Sequence, residues 1–218
     1  MKLTKSTLAQ LSIDKPTYDR DEIGIGIVHF GVGGFHRAHQ AMYVDRLLEM
    51  GLAKDWGICG VGVLPADRKM ADVMAAQDGL YTLLLEKPDG SREARVIGSI
   101  VDYRYAPDDP EAVVELLAAP STRIISLTIT EGGYNIENID GVNVFGLVAD
   151  ALARRRDRGL GSPTIVSCDN IEGNGHVARH AFTTYAERVH PAWASGWKPT
   201  PAFRIRWSTA SRRSPLLT

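Results

Sequence analysis

The stretch HFGVGGFHRAHQ, residues 29–40, begins as a glycine turn and then sets His36, Arg37 and His39 where a plain turn would run into small or apolar residues. Just upstream, IGIGIVHFG is a short β-branched run that reads as a strand ending in glycine. Downstream, HRAHQAMYVDRLLEMG spaces Ala38, Met42, Leu47 and Leu48 approximately as one helix would. The three pieces predict a strand, a turn and a helix. Gly31 and Gly33 match the first two positions of G-x-G-x-x-G, where absent side chains let backbone N–H groups approach a pyrophosphate at a helix N-terminus. His36 occupies the third glycine's place, and Gly34 adds room. The pattern alone fits an ordinary strand-to-helix turn equally well. Its place between the first predicted strand and the first predicted helix favours a nucleotide.

The same alternation continues along the chain. WGICGVGVL reads as a second strand and ADRKMADVMAAQDG as its helix, with Met70, Val73 and Met74 on one face. LYTLLLEKPDGSREARVIGSIVDY reads as a hairpin around Pro-Asp-Gly, inserted into the pattern. PDDPEAVVELLAAP is an acid-started helix, TRIISLTIT a buried strand, VNVFGLVADALARRRDRG a helix, SPTIVSCDN a strand and IEGNGHVARHAFTTYAERV the last helix. Such βα units predict an α/β fold: an open, mostly parallel sheet wound with helices on both faces.

Composition narrows the function classes. A chain of 218 residues with 44% hydrophobic content suits a globular protein with one ample core, or one domain and a piece of another. No apolar run reaches the roughly 20 residues of a membrane span, and the start MKLTKSTLAQ lacks a secretory apolar stretch, so the cytoplasm is the expected location. The first 187 residues hold 19 Lys and Arg against 26 Asp and Glu, which argues against a nucleic-acid surface. Cys59 and Cys168 form neither a metal-ligand spacing nor a disulfide framework and are expected to be buried thiols.

Three further residue groups lie at predicted strand ends, where an open parallel sheet forms its ligand crevice. Asp67, in VLPADRK, follows the second strand as a ribose-binding acid does, although a helix-cap role fits equally well. Arg68 beside it would suit a 2′-phosphate, so a preference for NAD over NADP rests on Asp67. SLTITEGGY puts Thr130, Glu131, Gly132 and Gly133 directly after a strand. SCDNIEGNG ends the next one, and Asp169-x-x-Glu172 has the spacing of a capping box. Asn170 carries an amide able to donate to a substrate oxygen that gains charge during hydride transfer.

In this order, GVGGFHRAHQAMYVDRLL, SLTITEGGY and SCDNIEGNG resemble the polyol-specific long-chain dehydrogenases, the mannitol dehydrogenase family, from the N-terminus to about Trp197. The resemblance implies an extension over residues 1–22, a Rossmann-type NAD-binding domain over 23–190 and, in the family, a helical C-terminal domain with most of the catalytic groups. It implies hydride transfer between C2 of a polyol such as D-mannitol and NAD, giving the ketose, without a metal. By the same resemblance Gly31, Gly33, Gly34 and Phe35 line the pyrophosphate and nicotinamide side, Asp67 meets the adenosine ribose, and Thr130, Glu131 and Gly132 form the loop near the nicotinamide. His36, Arg37 and His39 bind anionic oxygen or tie the turn to the second domain, and Asn170 polarises the substrate oxygen. His39, alone on a helix, also suits a purely structural place. Oligomeric state is not implied.

Two departures from the family stand out. The segment between TEGGYNIEN and VNVFGLVADAL is cut to IDG, shortening a loop expected near the active-site mouth. The family's Lys-x4-Asn-x2-His pattern, which supplies the principal lysine base, does not occur, and Lys198 is the only lysine after Lys87. The tail PAFRIRWSTASRRSPLLT is basic and unlike the family. Codons can be chosen for residues 201–216 that, read from the third base, encode R-FPNSMVDRITPVTT, which resembles the family sequence expected there. Residues 191–218 are therefore expected to be an out-of-frame tail following a frameshift between 193 and 200, and the family's helical domain to be missing. The alternatives to a working dehydrogenase are an inactive NAD-binding fragment and a non-redox nucleotide-binding protein of the same fold. A positioned base contributes about 10²–10⁴-fold to such a reaction, so the 218-residue chain is expected not to reduce NAD with polyols at a useful rate. Ready NAD reduction by the purified chain would count against this.

Overall fold

β1 (Ile25–Phe30) and β2 (Gly57–Gly62) pair in parallel, with Ile27 beside Ile58 and Phe30 beside Val61, in the computed structural model of the chain. The structure describes residues 2–137, 140–189 and 206–209, the last four by backbone alone. The described chain gathers into two compact units, Met1–Tyr105 and Ala106–Thr218.

In the first unit, β5 (Ile100–Tyr105) pairs in parallel with the other side of β2. All six residues of β2 are buried, and its glycines make this possible. A Cβ on Gly60 would come within 2.7 Å of both the Tyr103 ring and Val32, and one on Gly62 within 2.5 Å of Asp67 and 2.7 Å of the Tyr103 hydroxyl. The chain between β1 and β2 is not the single helix its spacing predicts. It is a short α1 (Gly34–Ala38) and a longer α2 (Gln40–Glu49), separated by His39 at φ −121°, ψ −86°. The break also turns the face: of the expected Ala38, Met42, Leu47 and Leu48 only Leu48 is buried, Leu47 is 44% exposed, and the inward side of α2 is Ala41, Val44, Asp45 and Leu48. α3 (Arg68–Ala76) lies between β2 and the hairpin of β3 (Tyr81–Glu86) and β4 (Arg92–Ile97), which is antiparallel as expected and turns through Gly90.

Residues 4–22 bond to this unit. Tyr18 donates its hydroxyl to Asp45 Oδ1 at 2.6 Å, and Arg20 donates to the carbonyls of Gly98 and Ile100 at 2.9 and 2.8 Å. Asp45 is fully buried and also accepts from Gly98 N at 2.9 Å and from Arg95 at 3.0 and 3.2 Å. One carboxylate thus gathers α2, β4, the β4–β5 bend and the N-terminal segment.

In the second unit, β6 (Ile124–Leu127), β7 (Thr164–Ser167) and β8 (Arg206–Thr209) pair in parallel in that order. The remainder of the expected out-of-frame segment lies outside the described residues. α4 (Pro110–Ala118) starts on Asp109, whose side chain accepts from Ala112 N, and α5 (Val144–Asp157) starts on Asn143, which accepts from Gly146 N. Phe145 of α5 packs on Phe182 of α6 (Asn174–Val189), ring centroids 4.7 Å apart. Arg155, 6% exposed, donates to the carbonyls of Ala119, Thr122 and Gly161. Its charge is spread over chain ends that have no helical partner. Of the two thiols, Cys59 is buried as expected and Cys168 only half-buried, because β7 has ended one residue before it. No helix among the described residues is long and apolar enough to cross a membrane.

Replacing Asp45 by Ala leaves the Gly98 N–H without its acceptor and the Arg95 charge with only the more distant Glu49, at 4.0 Å, and breaking such a buried pair costs about 3–5 kcal/mol. Urea unfolding of Asp45→Ala is expected to show a loss of that order, against about 1 kcal/mol for Tyr18→Phe, which removes one hydrogen bond. Equal, small losses would overturn the central place given to this carboxylate.

Candidate functional site

In the first unit the C-terminal end of β1 turns through Gly31 at φ +90°, a conformation that favours glycine. Gly33 is different: its φ of −96° and ψ of −174° are open to any residue. What Gly33 and Gly34 supply is empty surface. A Cβ on Gly33 would meet only the Gly31 carbonyl, at 3.9 Å, and one on Gly34 nothing within 4 Å. The turn is closed by Gly33 N donating to Gly31 O at 2.7 Å and Arg37 N to Gly33 O at 3.1 Å. A bare, exposed bend at a strand end suits the close approach of a diphosphate.

The side chains that follow the turn separate. Phe35 is 42% exposed and stacks on His39, with centroids 4.4 Å apart, and His39 Nδ1 lies 2.9 Å from the Phe35 carbonyl. Arg37 lies over the Tyr81 ring at 5.6 Å, and Tyr81 donates its hydroxyl to the Arg37 carbonyl at 2.6 Å, so the hairpin holds the end of α1. His36 turns inward and is 1% exposed. It stacks on fully buried His29, centroids 3.6 Å apart and planes within 10°. Neither His36 nitrogen makes a hydrogen bond of ordinary geometry, although the Gln40 side chain is near enough to favour the protonated ring. Burial lowers the pKa of His29 to about 3, against a smaller opposing effect of the Gly31 carbonyl. Burial, then His29 and Arg37, hold His36 well below its ordinary value. Both rings are therefore neutral at pH 7.

Asp67 stands beyond β2, where its Oδ2 accepts from Val63 N and Leu64 N, both at 2.9 Å. The carboxylate fastens the turn ahead of α3, and no described residue is seen bonding to Oδ1. Arg68 lies over the Tyr105 ring at 4.1 Å, at the end of β5. These residues make a flat cationic platform beside an acceptor.

The second unit carries its own edge. Beyond β6, Thr130 adopts φ +66°, ψ +168°, one of two non-glycine residues described with positive φ. A conformation of this kind costs a non-glycine residue about 1–3 kcal/mol. A 3₁₀ turn, Glu131–Tyr134, follows; Glu131 and Gly132 are exposed, and a Cβ on Gly132 would meet nothing within 4 Å. Asn170 is exposed just beyond β7. Asp169 does not cap α6 as its spacing suggests. It is 8% exposed and accepts from Thr130 N at 2.9 Å, Ile129 N at 3.2 Å and the Tyr134 hydroxyl at 2.7 Å. Spacing cannot reveal this, because the donors lie 35 to 40 residues away. Burial, then Asp169, push the Cys168 thiol up to about 11, leaving it protonated at neutral pH.

Sequence reasoning also passed over His29, Asp45 and Tyr134. Asp45 had a visible signal, since it falls on the inward face of α2 beside Val44 and Leu48.

A family model described as "Mannitol dehydrogenase Rossmann domain" matches residues 25–202. The chain is 46% identical over 215 residues to a polyol:NADP oxidoreductase of Gluconobacter oxydans, covering 88% of this chain and 44% of that protein. It is 43% identical over 204 residues to a mannitol 2-dehydrogenase of Pyricularia oryzae, covering 84% and 40%. Among solved structures, Pseudomonas fluorescens mannitol 2-dehydrogenase in a ternary complex with NAD and D-mannitol superposes with a TM-score of 0.83 at 42% identity, over 91% of this chain and 44% of that one. A substrate-free D-sorbitol dehydrogenase gives 0.81 at 43% identity, over 90% and 45%. The chain thus spans less than half the length of these relatives, and its α/β fold is of the Rossmann type.

The buried histidine pair gives a pH dependence with a definite sign. Unfolded, each ring takes up a proton near pH 6.5, while the folded pKa values lie lower, about 3 for His29. The unfolded state therefore binds more protons in this window. The pair's stability is fully present above pH 6.5 and falls as pH drops toward 3, by up to about 1.4 kcal/mol per pH unit for each ring. Unfolding free energies measured from pH 7.5 to 4.5 are expected to fall less steeply in His36→Phe, which keeps a ring on His29 but takes up no proton. Parallel curves for the two proteins would contradict the buried, neutral state.

Proposed function

Because the chain belongs to the mannitol dehydrogenase family, we propose that it forms the NAD-binding part of an oxidoreductase that moves hydride between a polyol, D-mannitol or a close relative, and NAD, with D-fructose or the matching ketose as the other partner. The bare surface over Gly33 and Gly34, just past the Gly31 turn and between a buried parallel strand and a helix start, carries this reading. When bound, NAD supplies the hydride acceptor. The chain's own residues do the rest of what is assigned here. The glycine turn admits the diphosphate, and Phe35 and Arg37 flank it. His36 supports the turn from behind, and Asp67 offers Oδ1 to a ribose hydroxyl while repelling a 2′-phosphate. Thr130, Glu131 and Gly132 border the nicotinamide side. The exposed Asn170 amide donates to the substrate oxygen, stabilising charge on it as the C–H bond breaks.

A second reading has an observation of its own. The 218 residues contain no Lys-x4-Asn-x2-His pattern, and the relatives from Gluconobacter oxydans and Pyricularia oryzae are more than twice as long as the matched region. For this chain by itself we assign nucleotide binding, and to the whole protein the proton transfer that completes oxidation. Neither role calls for nucleic acid or membrane. Two unpaired thiols and a diffusible cofactor suit the cytoplasm.

Gly33→Val separates folding from binding. Its backbone angles tolerate a side chain, so unfolding stability should change by no more than about 0.5–1 kcal/mol, while the valine occupies the diphosphate's approach and NADH binding is lost. Undiminished NADH binding by the folded variant would sink the phosphate-turn reading. Asp67→Ala is expected to narrow the preference for NADH over NADPH in titrations at matched salt. Equal affinities in the unsubstituted chain would remove the basis for assigning NAD.

A further inference from the structure

We propose that Asp169 is a positioning residue for the ligand-facing edge of the second unit: it holds Thr130 in its left-handed conformation and so fixes Glu131 and Asn170 relative to each other. The inference rests on the nucleotide-binding reading of that edge and adds a device to it. One buried carboxylate receives two successive backbone amides, Ile129 N on Oδ2 and Thr130 N on Oδ1, together with the Tyr134 hydroxyl from the far end of the 3₁₀ turn. Two neighbouring N–H groups can converge on one carboxylate only if the chain between and beyond them bends sharply. Thr130, β-branched and at φ +66°, stands at that bend.

The backbone that carries the carboxylate is itself held. Asn174, 2% exposed, donates Nδ2 to the backbone carbonyls of Asp169 at 2.9 Å and Ser167 at 3.1 Å, and the Tyr134 hydroxyl lies 2.8 Å from Ser167 Oγ. The path runs from the start of α6, through the end of β7, to the loop beyond β6. Asn170 is the next residue after the clamp on one side, and Glu131 the next after Thr130 on the other. Asp169 touches neither ligand nor reacting atoms in this scheme. It acts through the loop.

The test uses the 218-residue chain with Asp169→Asn, alone and with Thr130→Gly. An amide keeps one acceptor oxygen but turns an N–H₂ toward donors, so the clamp opens. Asp169→Asn is expected to speed hydrogen exchange at the Gly133 and Asn135 amides, whose acceptors are Thr130 O and Gly132 O, and to weaken NADH binding by about tenfold or more, the order of loss that misplaced contacts produce. Adding Thr130→Gly, which takes positive φ without strain, is expected to restore both the protection and most of the affinity. A purely structural role would lower the thermal midpoint with no recovery by glycine, and that result overturns the proposal. Should Asp169→Asn not fold, Tyr134→Phe removes one of the three donors, and unchanged exchange and affinity in that variant overturn it equally. If the unsubstituted chain binds no NADH, the nucleotide reading fails, while loss and recovery of protection at Gly133 and Asn135 still decide whether the clamp exists.

Discussion

β2 can lie buried between β1 and β5 only because three of its six residues have no side chain, and both turns of the first unit proposed to meet the cofactor depend on that. The space above Gly60 is filled by Tyr103 from β5 and by Val32, the residue between the first two glycines of the turn. The space above Gly62 is filled by Asp67 and the Tyr103 hydroxyl. One strand therefore seats the middle of the glycine turn at one position and Asp67, the proposed ribose acceptor, two residues later. A methyl group at either place would press on a residue of the proposed site rather than on anonymous core. Close packing leaves no slack to absorb it.

A similar economy governs the second unit, with a carboxylate in place of missing side chains. Ile129, Thr130 and Tyr134 hang on Asp169, and Asp169 is steadied by Asn174. Low local dielectric makes such a network strong when every donor is met and costly when one is not. Asn174 Oδ1 is buried without a partner among the described residues, the one loose end in an otherwise satisfied cluster.

Much of the architecture was legible because it follows from local rules. The strand-helix alternation, the hairpin at Pro-Asp-Gly and the acidic start of α4 are each written in a few adjacent residues. The break at His39 was not, since the apolar spacing continues through it and only the backbone angles reveal two helices. Nor was the inward turn of His36, because the ring that covers it belongs to His29, seven residues earlier, which no local pattern marks. Asp169 illustrates the deeper limit. Its local spacing pointed to a helix cap, yet its donors come from the neighbouring strand's exit. Gly33 matches the turn motif with an ordinary backbone, so what matters there is vacancy rather than conformational freedom.

The segment before β1 carries a practical consequence for anyone cutting this protein into pieces. Residues 4–22 contain little regular structure and no wholly buried large apolar side chain, and a designer of expression fragments would trim them first. Doing so would strip the Tyr18 hydroxyl from Asp45, remove the Arg20 guanidinium from two carbonyls at the β4–β5 bend, and take Thr17 from Glu49. The trimmed fragment would begin just ahead of β1 and keep every residue assigned a role in binding, but the Asp45 clasp between hairpin and helix would retain only its Arg95 and Gly98 donors. Fragment boundaries are better drawn by following hydrogen-bond partners than by following motifs.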